Sequence, residues 1–214
     1  MRTEKTKRII LAVFVIVCVF SLNSGGLGIK TPKPLPLGYS VGIENITPEK
    51  MRYAKSVGID YIEVSTRGLI GNERNFRLSD DEIRERMKKI RQATEAAGIK
   101  IWSVHMPYGR DIDLSLLNEA ERKQVVAFHR KLLDFCRILQ PKIILFHPSF
   151  YLGLNEREAR KEQLIKSAIE LNETVKKMSA TLVIENMLGY ELKKDQDREN
   201  PLCRTVEETV EIMG

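Results

Sequence analysis

The chain has 214 residues, of which 43% are hydrophobic and 30% charged. This composition is typical of one globular domain and argues against a fibrous, disulfide-scaffold or intrinsically disordered protein. The formal net charge is +6, and half of that excess lies in the first 26 residues. The remaining basic residues form no stripe along the sequence, so we expect no nucleic-acid partner.

The N-terminal segment has the layout of an export signal. Four basic residues precede an apolar run over 9–22, and small residues follow at 24–26. The run has 14 residues, fewer than the roughly 18 of a spanning helix. We therefore predict a signal peptide at 1–26 and a periplasmic or extracellular protein, whose only membrane contact is through this segment. The alternative is a protein that stays anchored by an uncleaved N-terminal segment.

Residues 27–37 contain prolines at 32, 34 and 36 and are typical of a Pro-rich linker. After them, strand patterns alternate with helix patterns. Strands are predicted at 38–43, 60–65, 100–106, 142–148 and 181–187. Each is followed by a helix, and the predicted N-caps are Thr47, Ser79, Asn118, Asn155 and Thr205. Five strands that alternate with five helices predict an α/β domain over 38–214 with a parallel sheet.

Four of these predicted strands carry an ionisable residue near the carboxyl end: Glu63, His105, His147 and Glu185. Their spacings are 42, 42 and 38 residues, one βα unit each time. In parallel α/β proteins this edge of the sheet is where ligands bind. Two imidazoles and a carboxylate suit a borderline divalent cation such as Zn²⁺, Mn²⁺ or Co²⁺. We therefore predict His105, His147 and Glu185 as metal ligands.

The sequence also predicts roles for four residues that are not metal ligands. Glu63 is predicted to bind substrate, and the alternative is a core carboxylate paired with Arg67 or Lys100. Asn186, next to Glu185, is also predicted to contact a ligand. We expect Trp102 to face the helices as a core residue, and we expect His129, inside the third helix, to be structural.

The segments "SVHMPYG", "DIDLS", "KIILFHPS" and "LVIENM" resemble the xylose isomerase-like TIM-barrel superfamily, in particular its sugar phosphate isomerases/epimerases. The resemblance covers about 38–214 and implies a (β/α)₈ barrel, incomplete here, with about five βα units. It also implies that Glu185 is both metal ligand and acid/base, and that His105 and His147 correspond to zinc ligands of the related apurinic endonucleases. The family takes further ligands from strands six to eight, whereas this chain ends in the helix after strand five. The alternative fold is an open, flavodoxin-like parallel sheet.

The resemblance implies a metal-dependent sugar or polyol isomerase or epimerase that acts by enediolate proton transfer, with Glu185 as the catalytic residue. Because strands six to eight are absent, activity of this chain is in question, and an inactive or non-catalytic remnant of the family is the alternative. A second alternative is a zinc-dependent phosphodiesterase of the apurinic endonuclease type. The expected partner is a small-molecule carbohydrate, and open sheet edges would permit a homo-oligomer.

Overall fold

The computed structural model describes residues 35–72, 74–189 and 197–214. The predicted signal peptide and most of the predicted linker lie outside this range. Residues Pro36–Gly214 form one compact unit. Within the described ranges, no helix has the length and apolar character needed to cross a membrane.

In the described residues, five strands alternate with five α-helices. The strands are β1 Leu37–Gly42, β2 Ile59–Ser65, β3 Lys100–His105, β4 Ile143–Phe146 and β5 Thr181–Ile184. The α-helices are α1 Pro48–Ser56, α2 Asp80–Ala97, α3 Glu119–Cys136, α4 Arg157–Lys177 and α5 Val206–Met213. Short 3₁₀ helices occupy Ile43–Asn45, Arg67–Leu69, Arg110–Ile112 and Arg137–Leu139.

All strand pairs are parallel, and the strand order in the sheet is β1-β2-β3-β4-β5. Each strand therefore lies beside its neighbour in sequence, as in a TIM barrel. A flavodoxin-like sheet would place β1 between β2 and β3, so that alternative is wrong. The prediction of a partial (β/α)₈ barrel with five βα units is confirmed.

The two faces of the sheet differ in character. One face packs against the helices, and its residues are almost fully buried: Ile62, Val64, Val104, Ile144, Phe146 and Ile184. They share one core with apolar residues of α2, α3 and α4. The opposite face carries Glu63 and His105, which are only partly buried. Side chains alternate between the faces along each strand, so the same strands supply the core and the polar edge.

Most predicted helix starts are confirmed by side-chain caps. Thr47, Ser79, Asn118 and Thr205 each accept a hydrogen bond from a backbone N–H in the first turn. Ser79 also forms the predicted capping box with Glu82. The prediction for Asn155 is wrong: α4 begins two residues later, and Asn155 itself has a left-handed backbone with φ +63°. Its N–H donates to a carboxylate oxygen of Glu199, so this residue belongs to a loop.

The prediction that Trp102 is a core residue is also wrong. The register between β2 and β3 shifts by one residue, because Ile62 pairs with Ile101 whereas Glu63 pairs with Ser103. Trp102 therefore has no partner on β2. Trp102 is 47% exposed and contacts the ring of Tyr61 edge-on at 5.6 Å. Such a bulge breaks the alternation on which the prediction depended.

Candidate metal centre

Three predicted ligands lie at the carboxyl ends of adjacent strands. His105 is the last residue of β3, His147 follows β4 directly, and Glu185 follows β5 directly. The sheet hydrogen bonds continue past the strand ends, since the N–H of Glu185 donates to the carbonyl of Phe146 at 2.9 Å. The backbone of the sheet thereby fixes where each of the three side chains starts.

The three side chains converge at one point. Nε2 of His105 lies 2.8 Å from Nε2 of His147. Oε2 of Glu185 lies 3.4 Å from the first nitrogen and 3.2 Å from the second. Each residue offers one possible metal-ligand atom, and these three atoms all lie within 4.8 Å of one another.

The local chemistry fits a divalent cation. Oε2 of Glu185 is buried and makes no hydrogen bond, although it lies close to both imidazoles. A buried carboxylate oxygen without a partner is costly, and a cation held between the three side chains would satisfy it. Two imidazole nitrogens and a carboxylate oxygen are ligands that Zn²⁺ and similar ions accept.

The two histidines have pKa values displaced in opposite directions. The hydrogen bond between Glu63 and His105 raises the pKa of the imidazole, and the same contact is the main reason why the pKa of Glu63 falls to about 2. Burial, together with the neighbouring His105, lowers the pKa of His147 to about 4. His147 is therefore neutral at neutral pH, as a metal ligand must be.

Glu63 lies behind His105, on the side away from the other two ligands. Its Oε1 is 3.2 Å from Nδ1 of His105, and its Oε2 accepts a hydrogen bond from the Ser103 hydroxyl at 2.9 Å. Its partners are thus neither Arg67 nor Lys100, the pairs considered from the sequence.

His147 is held by two residues that the sequence did not single out. Its Nδ1 lies 3.3 Å from the thioether sulfur of Met187. The ring of Tyr108 stacks on the imidazole with the centroids 3.9 Å apart. Tyr108 sits three residues after His105, so the position of the "HMPYG" segment at a strand end could have indicated it.

A pocket of about 280 Å³ opens beside the two ligands His147 and Glu185. Its remaining lining consists of Asn186 and mostly apolar or aromatic side chains, which include Tyr108, Phe150, Tyr151, Met187 and Leu188. Asn186 is exposed and lies at the wall of this pocket, where a ligand contact was predicted. Glu63 does not line it.

Buried Asp113 ties the loop after β3 to the loop that forms the pocket wall. Its Oδ2 accepts from the N–H of Phe150 at 2.9 Å, and its Oδ1 accepts from the N–H and hydroxyl of Ser115 at 2.8 and 2.7 Å. Arg160 also approaches this carboxylate, at 3.5 Å. The loop that begins at His147 is therefore braced from the neighbouring loop.

Comparison with known proteins identifies the family. The family model of the xylose isomerase-like TIM barrel matches residues 51–214. This match covers most of the chain, and the protein belongs to that family. The resemblance found in the sequence is confirmed.

Solved structures of similar fold include proteins described as sugar epimerases or as similar to them. A D-tagatose 3-epimerase-like protein is 19% identical with a TM-score of 0.59, and the match covers 82% of this chain and 60% of that one. An L-ribulose 3-epimerase is 14% identical with a TM-score of 0.57 and coverages of 84% and 56%. The 3-keto-D-glucoside 4-epimerase of E. coli is 12% identical, also with a TM-score of 0.57, and its coverages are 82% and 62%.

One curated relative also matches. An uncharacterized protein of Methanocaldococcus jannaschii is 30% identical over 91 residues, which are 42% of this chain and 36% of that protein. The chain therefore spans just over a third of this relative and less than two thirds of the three structures. At these identities the structures show a shared fold.

Proposed function

We propose that this protein is a metal-dependent isomerase or epimerase of a sugar or polyol. The observation that carries the proposal is the convergence of His105, His147 and Glu185 beside the pocket, with Oε2 of Glu185 buried and without a hydrogen bond. Membership of the xylose isomerase-like family and the epimerases among the similar structures support the same substrate class.

In this proposal His105, His147 and Glu185 hold the divalent ion, which is Zn²⁺, Mn²⁺ or Co²⁺. When bound, the ion polarises the carbonyl and hydroxyl oxygens of the sugar. Glu185 removes the proton from the carbon next to the carbonyl, and its return to the other carbon of the enediolate completes an isomerisation. An epimerisation needs in addition a second acid, which protonates the enediolate from the opposite face. Its side chain is 35% exposed although Oε2 is buried, so the rest of the carboxylate is accessible from the pocket. Asn186 is expected to hydrogen-bond a sugar hydroxyl.

The first test is metal binding by the 214-residue chain. We expect calorimetric titration with Zn²⁺ or Mn²⁺ to give one site, and Glu185→Gln to weaken it at least 10-fold because the ligand loses its charge. Glu85→Gln is the matched control, since Glu85 is exposed on α2. A chain that binds neither ion, or a Glu185→Gln variant that binds like the wild type, would overturn the proposed metal site.

The second test is proton exchange. The metal-loaded chain is incubated in D₂O with a panel of ketoses, and the carbon-bound protons next to the carbonyl are followed by NMR. We expect deuterium incorporation into at least one ketose, lost in Glu185→Gln and kept in Glu85→Gln. If the chain binds metal but exchanges no ketose proton, the enzymatic part of the proposal is wrong.

A non-catalytic binding protein is the second candidate function. The observation that favours it is the share of the similar structures that the chain covers, 56% to 62%, because the activity of a whole enzyme need not reside in this portion. Metal binding without exchange would support this candidate. Cleavage of DNA at abasic sites would instead support the phosphodiesterase alternative.

We also propose that the protein is exported, on the basis of the basic, apolar and small-residue pattern over 1–26. N-terminal sequencing of the protein recovered outside the cytoplasm is expected to start near residue 27. Recovery of the intact N-terminus in the membrane fraction would support the anchored alternative.

A further inference from the structure

Glu63 belongs to a polar row on the non-core face of the sheet. In the strand register it is the partner of Ser40 on β1 and of Ser103 on β3. The Ser103 hydroxyl donates to Oε2 of its carboxylate at 2.9 Å, and Ser40 helps to lower the pKa of Glu63. His105 lies two residues beyond Ser103, and hence on the same face of β3. Ser103 therefore holds Oε2 of the carboxylate while Oε1 faces Nδ1 of His105.

We propose that Glu63 is a positioning residue, which holds His105 in the tautomer with the proton on Nδ1 and directs the Nε2 lone pair toward His147 and Glu185. An ionised carboxylate can only accept hydrogen bonds, so the ring nitrogen that faces it must donate. In a neutral imidazole the other nitrogen then has no proton and is free to bind a metal. This role replaces the substrate contact predicted from the sequence.

The surroundings of Glu63 fit positioning better than substrate binding. Its side chain is 24% exposed, and it does not line the pocket beside His147 and Glu185. Both of its oxygens already have partners within the protein, Oε1 with His105 and Oε2 with Ser103. A substrate hydroxyl would have to displace one of these hydrogen bonds.

His129 can serve as an internal reference for a tautomer measurement, because its hydrogen bond requires the tautomer opposite to that proposed for His105. Nε2 of buried His129 lies 3.1 Å from the carbonyl oxygen of Ile112, and a carbonyl can only accept. His129 must therefore carry its proton on Nε2. The sequence has three histidines, so few imidazole signals need to be assigned.

The test is a long-range ¹H–¹⁵N correlation spectrum of the ¹⁵N-labelled, metal-free chain at mildly alkaline pH, which reports the tautomer of each neutral imidazole. In the wild type we expect Nδ1–H for His105 and Nε2–H for His129. In Glu63→Leu, which removes the acceptor, the Nδ1–H population of His105 is expected to fall toward that of a free imidazole. An Nε2–H signal for His105 in the wild type, or an unchanged spectrum in Glu63→Leu, would overturn the proposal.

The signal of His129 in the same spectrum shows whether the variant is folded. If Glu63→Leu does not fold, Glu63→Gln serves instead. Its amide can donate as well as accept, so it is expected to give a mixture of the two His105 tautomers, and a pure Nδ1–H signal would contradict the proposal.

The consequence for metal affinity rests on the proposed function. If the metal site exists, Glu63→Gln is expected to weaken Zn²⁺ binding by about 10- to 100-fold, whereas Glu85→Gln leaves it unchanged. A chain that binds no metal refutes the metal site but leaves the tautomer measurement valid. If Glu63 instead binds substrate, its substitution changes sugar affinity and leaves both the tautomer and the metal affinity unaltered, which would refute the positioning role.

Discussion

Replacing His129 by glutamine is expected to make the protein less sensitive to acid. The imidazole is 1% exposed and packs against the rings of Phe128 and Phe146 at 5.5 and 5.4 Å. Nε2 donates to the carbonyl of Ile112, but buried Nδ1 has no hydrogen-bond partner. A protonated ring would bring an uncompensated charge into the core, so burial lowers the pKa of His129 to about 4, from an ordinary value of 6.5.

The sign and size of the effect follow from linkage. Above the ordinary pKa, His129 is neutral in both the folded and unfolded chains and contributes no pH dependence. Between 6.5 and about 4 the unfolded chain binds a proton that the folded chain does not, so the free energy of unfolding falls as the pH falls. This contribution reaches about 3 kcal/mol below both pKa values and is about 2 kcal/mol between roughly pH 7 and pH 5.

The assay is urea unfolding of the wild type and His129→Gln at a series of pH values. Glutamine can keep the hydrogen bond to Ile112 but does not titrate, so any loss of packing lowers its stability by the same amount at each pH. We expect the wild type to lose about 2 kcal/mol more than the variant between about pH 7 and pH 5. Because the titrations of His105 and His147 are common to both proteins, they cancel in this difference. Parallel stability curves would refute a neutral, buried His129.

Three further predictions concern stability, and each is measured by chemical or thermal unfolding. Arg122 is 2% exposed and bonds Glu119 and Glu170 at 2.7 Å each, so Arg122→Ala is expected to lower the free energy of unfolding by about 3 kcal/mol. Lys123→Ala, an exposed change on the same helix, is expected to have little effect, and equal losses would contradict this account. Gly98 ends α2 with a left-handed φ of +68° and has no neighbour closer than 3.9 Å to an added Cβ. Gly98→Ala is therefore expected to lower the free energy of unfolding by about 1 kcal/mol through backbone strain alone. A variant more stable than the wild type would contradict this expectation. Asp113→Asn turns an amide donor toward groups that themselves donate and is expected to cost about 2 kcal/mol. An equal loss of stability in Asp111→Asn, a change at an exposed residue, would refute the role of Asp113 in joining the two loops.

The strand-end residues were predictable because they break an apolar pattern at a regular spacing. His105 and His147 each follow a buried strand residue, and both are separated from the next site residue by one βα unit. Parallel strands bring their carboxyl ends to one edge of the sheet, so the sequence order alone places these residues together. Thr47 and Ser79 were predictable for a similarly local reason, since a cap and the N–H groups it accepts from lie within one helical turn.

Contacts that depend on register or loop path could not be predicted in the same way. The pairing of Glu63 with Ser103 follows a one-residue shift in the β2–β3 register, which also exposes Trp102 and has no local sequence signal. Tyr108 and Met187 reach His147 from two different loops. The partners of a loop side chain are set by the tertiary fold, so spacing along the chain does not identify them.

The core and the site are linked through the alternation of side chains along the strands. In three strands the last core residue directly precedes a site residue: Val104 and His105, Phe146 and His147, Ile184 and Glu185. A one-residue slip of any of these strands would move an ionisable group among the helices and an apolar one into the site, at a cost of several kcal/mol. Burial of the apolar neighbours thus fixes the register of the strands, and the register brings the three ligands together. The positions of the ligands should therefore persist in the metal-free chain, whereas the orientation of each imidazole depends on its own partners, such as Glu63.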